Sequence, residues 1–143
     1  MAVALLAMVA LAPLGVAARS HPTPTPTATP TLPPEDPAIT LIARREFVAW
    51  QAGVVNPDHY EKESQGNLNP DKIADTAKNL GALGTLESTQ WLGPIAVIDP
   101  PANVKGSYLY KMHCESADVY EELTMATDGK VMGIIFRDKL PKD

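Results

Sequence analysis

The chain has 143 residues, a net charge of −5 and a single cysteine, with 45% apolar and 20% charged residues. No basic run interrupts the acidic balance, so nucleic acid and an anionic membrane surface are not expected partners. One cysteine excludes an intramolecular disulfide, and the scattered His21, His59 and His113 lack metal-ligand spacing, so neither metal nor cofactor is expected.

Residues 1–18 are apolar and small, M-A-V-A-L-L-A-M-V-A-L-A-P-L-G-V-A-A. They read as a secretory signal peptide with a small-residue cleavage site after Ala18, although no Lys or Arg precedes the apolar run. The other reading is a retained anchor, because about 18 apolar residues is the low end for a spanning helix. The expected location is therefore secreted or extracytoplasmic, with membrane contact only if 1–18 stays attached. Residues 19–36 alternate Thr with Pro, which favours extended polyproline II over a packed core. At about 3.1 Å per residue such a spacer reaches on the order of 50 Å. His21 within it is expected in solvent.

The folded domain is expected over 37–143, about 107 residues, enough for one core. Asp36-Pro37 is an N-cap followed by a first-turn proline. Behind it Ile39, Ala43, Phe47, Trp50 and Val54 recur at helical spacing with Ile42 alongside, while Arg44, Arg45 and Gln51 face away. This predicts a helix over 37–53 closed by Gly53. The start signal recurs as Asn56-Pro57-Asp58 and Asn69-Pro70-Asp71, with each Asp where the helix dipole favours it. The first predicts a short helix to Gln65 stopped at Gly66. The second predicts a helix ending at Gly81, with Ile73, Ala77 and Leu80 on one side. A strand over 86–98 follows, with Gly93-Pro94 marking an edge position or a bulge.

The stretch 106–136 reads as three strands and two tight turns, the first strand covering 104–115. Asp128-Gly129 signals a two-residue hairpin loop. It pairs Thr127 with Lys130, Met125 with Met132, Leu123 with Ile134 and Glu121 with Phe136. A turn at Ser116-Ala117 pairs Tyr108 with Met125, Tyr110 with Leu123, Met112 with Glu121 and Cys114 with Val119. Both hairpins place the same set on one face: Tyr108, Tyr110, Met112, Cys114, Val119, Glu121, Leu123, Met125, Met132, Ile134 and Phe136. The other face pairs Lys111 with Glu122 and Tyr120 with Arg137. This register sets Glu115 against Asp118, two like charges, and a longer first turn is the alternative.

Glu121 is the one carboxylate on the inward face. A buried carboxyl must find a partner, stay protonated or reach water. If the helices leave a cavity over the sheet, Glu121 lines it with Trp50, Tyr110, Met112 and Phe136 as ligand contacts. In such a site its raised pKa suits a general base. Otherwise it reaches water or pairs with a helix-side cation. His113, Tyr120 and Arg137 form an outward cluster that could serve as a contact surface. Cys114 is expected as an inert buried thiol. Its neighbour His113 points to the opposite face of the strand, which excludes a Cys–His pair.

The amphipathic first helix ending in A-W-Q-A-G, the third helix followed by L-G-A-L-G-T-L-E-S, and the closing L-T-M-A-T-D-G-K-V-M-G-I-I-F resemble the nuclear-transport-factor-2-like superfamily, also called cystatin-like or SnoaL-like, in its secreted bacterial form. The resemblance covers about residues 37–138. It implies an α+β fold with N-terminal helices packed in the concave face of a curved antiparallel sheet of about four strands. The superfamily includes ketosteroid isomerases, dehydratases and polyketide cyclases beside non-catalytic binding and accessory domains. No Tyr–Asp constellation of the isomerase kind maps onto this chain, so a non-enzymatic role is expected. The leading expectation is an exported domain that binds a small apolar ligand or a protein partner through the cone mouth or sheet face, as a homodimer. The alternatives are a small isomerase or lyase using Glu121 as base, and a passive accessory or assembly domain.

Overall fold

A computed structural model describes residues 31–142. The expected signal peptide, His21 and most of the Thr/Pro spacer lie outside the described residues. The end of the spacer rests on the domain, where the Trp91 indole donates to the Pro33 carbonyl at 3.2 Å.

Helix α1, Pro37–Ala52, starts where expected. The Asp36 carboxylate accepts from the Ala38 N–H at 3.0 Å, and Gly53 closes the helix in the left-handed region. Its buried stripe is Ile39, Ala43, Glu46, Phe47 and Trp50. Two expectations fail at its C-terminal end. Val54 is 74% exposed, because the helix has ended and the stripe no longer continues. Gln51 does not face away: its amide donates to the carbonyls of Leu80 at 2.9 Å and Gly84 at 2.7 Å.

The helix expected from Asn56 to Gln65 is two pieces, a 3₁₀ turn over Pro57–His59 and α2 over Lys62–Gln65. Tyr60 breaks it. Its side chain is pulled into the core, and its backbone bridges to Val131 in parallel. The Glu61 N–H then donates to the Val131 carbonyl at 2.9 Å, and the Ser64 hydroxyl to that of Met132 at 2.7 Å. A continuous helix would place these groups out of reach of the sheet. Helix α3, Pro70–Gly81, matches expectation, with Asn69 accepting from the N–H groups of Asp71 and Lys72.

Four strands follow: β1 over Leu86–Ile95, β2 over Val104–Cys114, β3 over Asp118–Ala126 and β4 over Val131–Arg137. They form one open antiparallel sheet in the order β1-β2-β3-β4, with the helices on one face, an α+β fold. β1 is an edge strand with register shifts at Leu86/Ser88 and Trp91/Gly93, in keeping with its Gly93-Pro94. It stops at Ile95 rather than continuing to Ile98, which is 90% exposed.

The inward face is the expected one, but both hairpins differ in detail. The β2–β3 turn centres one residue earlier than expected, with the Cys114 N–H donating to the Ala117 carbonyl. Tyr108 therefore opposes Leu123, Tyr110 opposes Glu121 and Met112 opposes Val119. A slip of two preserves the face and removes the clash of Glu115 with Asp118. Glu115 instead accepts from the Thr85 N–H at 2.7 Å. Its carboxylate fills the space beside Gly84, whose φ of +79° and lack of Cβ both serve that approach. Lys111 now opposes Tyr120 rather than Glu122.

In the β3–β4 hairpin the pairs Glu121–Phe136 and Leu123–Ile134 stand as expected. Nearer the turn a bulge intervenes, and Met125 opposes Val131 rather than Met132. The Ala126 N–H donates to the Lys130 carbonyl, so the loop holds three residues and ends on Gly129 at φ +85°. Val131 is fully buried as a result, and Met132 leaves the core face. Cys114 is buried and free, and burial pushes its thiol pKa up.

Candidate functional site

The core contains two fully buried carboxyl groups, Glu46 and Glu121. Glu46 was not singled out from the sequence, although it stands three residues after Ala43 and four before Trp50, on the apolar stripe. Its Oε1 accepts from Arg45 at 2.8 Å and from His59 Nδ1 at 2.8 Å. Its Oε2 accepts from the Tyr60 hydroxyl at 2.9 Å, and that hydroxyl accepts from the Trp50 indole at 2.7 Å. Because a carboxylate only accepts, His59 must donate from Nδ1. The chain Trp50–Tyr60–Glu46 thus ties α1 to the segment that splits the expected second helix. Burial and the Glu46 charge push the Tyr60 phenol well above its usual range. The histidines are accordingly less isolated than the sequence suggested, since His59 and His113 both meet carboxylates.

Glu121 sits at the centre of β3 between Tyr110 on β2 and Phe136 on β4. It is sealed from the surface, and among the described residues no helix-side cation pairs with it. Both its oxygens are buried without a hydrogen-bond partner among the described residues. Desolvation first, and then the Glu46 charge, push its pKa well above the ordinary carboxylate range. The Tyr110 hydroxyl is turned to Thr40 at 3.2 Å, and burial raises the phenol to about 12.

An open cleft of about 660 Å³ lies between α3 and the end of the sheet formed by β3 and β4. Trp50, Leu80, Leu83, Val119, Ile134 and Phe136 supply its apolar surface. Phe136 packs edge-on against Phe47 at 5.7 Å and Trp50 at 6.0 Å between ring centroids, which fixes the inner wall. One face of α3, through Lys72, Thr76 and Asn79, forms a polar wall that the sequence reading missed. The spacing of four and three residues puts these side chains in one row.

The expected ligand contacts therefore divide. Trp50 and Phe136 line the cleft, whereas Tyr110, Met112 and Glu121 are buried in the core and do not. Glu121 is fully buried and does not line the cleft, and the Tyr110 hydroxyl is directed to Thr40 rather than hydrogen-bonded to it. The outward residues are on one face, but their polar groups are engaged. His113 bridges Asp118 at 2.5 Å and Glu87 at 3.2 Å, and Arg137 pairs with Glu122. Lys111 reaches Asp118 at 2.7 Å, and together with His113 holds that carboxyl below the usual range. Tyr120 lies between Lys111 and Arg137 on the adjacent strands.

Among the described residues no group of three His, Cys or acidic side chains is placed to hold a metal, and no helix is long and apolar enough to cross a membrane. Comparison with protein-family models, with curated proteins and with solved structures gives no match.

Proposed function

We propose that this chain is an exported, non-catalytic domain that binds a small apolar ligand in the cleft between α3 and the β3–β4 end of the sheet. The cleft carries the reading: about 660 Å³ of concave space with an aromatic inner wall and a few polar groups on one side. Small-molecule sites have this size and this balance of surfaces. The helix-on-sheet architecture is also that of the binding members of the nuclear-transport-factor-2-like superfamily, an analogy of fold. Binding is favoured over isomerase or lyase chemistry because Glu121 is sealed behind its neighbours. A general base must reach the proton it abstracts. Recognition through the outer sheet face is less favoured, since His113 and Arg137 are already spent on ion pairs.

Native mass spectrometry of the full chain, purified from the medium or the extracytoplasmic fraction, tests the reading. The expected result is a chain beginning after Ala18 and carrying one non-covalent small molecule, which Leu83→Trp excludes by filling the cleft. A wild-type chain that carries nothing, and takes up nothing when offered 1-decanol, would reject it.

A further inference from the structure

The cleft has one charged group that the fold leaves uncommitted on its α3 side. Lys72 lines the cleft with Thr76 and Asn79, and no acidic side chain lies within ion-pair distance of it among the described residues. Helix stability does not explain it. Lys72 is in the first turn of α3, where the Asn69 side chain accepts from its N–H, and the helix dipole disfavours a cation there. The other charges of the cleft are differently placed. Arg137 is held by Glu122, and Asp118 by Lys111 and His113. Asp138 lies on the wall away from α3 and carries the one uncommitted negative charge.

We infer that the cleft selects an amphiphile with an apolar body and a single terminal carboxylate, with Lys72 as the anion-binding residue and Thr76 and Asn79 as neutral donors. This rests on the binding reading above and adds the ligand class. The apolar body lies on Trp50, Leu83, Ile134 and Phe136. The carboxylate takes a charge-assisted hydrogen bond from the Lys72 ammonium, with the Thr76 hydroxyl and the Asn79 amide one and two turns along the same row. Asp138 restricts the site to one anionic end, since a second carboxylate directed to its wall meets a like charge.

The test compares decanoate, 1-decanol and decylammonium, which share an alkyl chain and differ in the end group. Each is titrated below its aggregation threshold into the full chain by calorimetry at low salt. Decanoate should bind about tenfold more tightly than 1-decanol. Lys72→Met should bring the ratio of decanoate to 1-decanol affinity down to about one, while Lys72→Arg should keep most of the margin. Lys72 is exposed, so neither variant threatens the fold. Equal binding of decanoate and 1-decanol, or a preference for decylammonium, overturns the ligand class and leaves the apolar cleft standing. If none of the three binds, the binding reading falls with it.

Discussion

Glu46 on α1 and Glu121 on β3 are buried to the same degree in one core, yet their surroundings have little in common. Glu46 lies where Arg45, 46% exposed, and the half-buried His59 can reach inward while keeping part of themselves in water. With the Tyr60 hydroxyl they satisfy both of its oxygens. Glu121 is at the middle of a central strand, with aromatic neighbours on both sides and no donor within reach. A carboxylate keeps its charge in an apolar core only where donors replace its lost water; without them the proton takes their place. The pair also interacts, since the Glu46 charge is one of the causes that favour protonated Glu121.

The sharpest way to break this contrast is Glu46→Ala. It leaves the Tyr60 hydroxyl and the inner end of His59 without an acceptor, and should cost about 2 to 3 kcal/mol, read from urea unfolding at pH 7. Glu121→Met should act in the opposite direction, because an apolar side chain of similar length suits that surrounding. At pH 8 it should gain about 1 to 2 kcal/mol over wild type. The folded-state pKa of Glu121 is raised above the unfolded value, so wild-type stability is full below the unfolded pKa near 4.5 and declines as pH rises above it. The advantage of Glu121→Met should therefore shrink toward pH 4.5; an advantage constant between pH 4.5 and 8 would mean that Glu121 titrates normally. Tyr60→Phe removes the hydroxyl between Trp50 and Glu46 and should cost about 1 to 2 kcal/mol, with a shift in Trp50 emission. Smallest is Arg45→Met, about 0.5 kcal/mol and weaker still at high salt, since its guanidinium is half in water. A loss as large as that from Glu46→Ala would mean that Arg45, rather than His59 and Tyr60, supplies most of what holds Glu46 in the core.

The two carboxylates were unequally legible. Glu121 stood out because strand alternation has a period of two, and one acidic residue among ten apolar ones on a face is conspicuous. Glu46 occupies an equally apolar stripe of α1, but a helical stripe is broad and its borders normally carry charges, so nothing in the spacing marks Glu46 as buried. The cleft was half legible. Trp50 and Phe136 were picked out as bulky apolar groups, but Lys72, Thr76 and Asn79 look like any exposed helix face until a sheet end is placed opposite. Met112 and Tyr110 were expected at a cavity, but both are fully buried, with the Tyr110 hydroxyl against Thr40 of α1.

Local chemistry settled much of this protein before any long-range contact. Asp36-Pro37 and Asn69-Pro70 start their helices because an oxygen side chain caps the free N–H groups beside a proline already set for the first turn. The strand alternation chose the inward face because a side chain has only two sides to take. Tertiary structure decided what local periodicity leaves degenerate. It moved the first hairpin by two residues, since that shift keeps the face and separates Glu115 from Asp118. It broke the second helix at Tyr60, since burying that ring against Glu46 and Trp50 outweighs a few helical hydrogen bonds. It also left Glu121 without a hydrogen-bond donor, which raises its pKa, since whether a donor stands above a strand depends on a helix some 70 residues earlier in the chain.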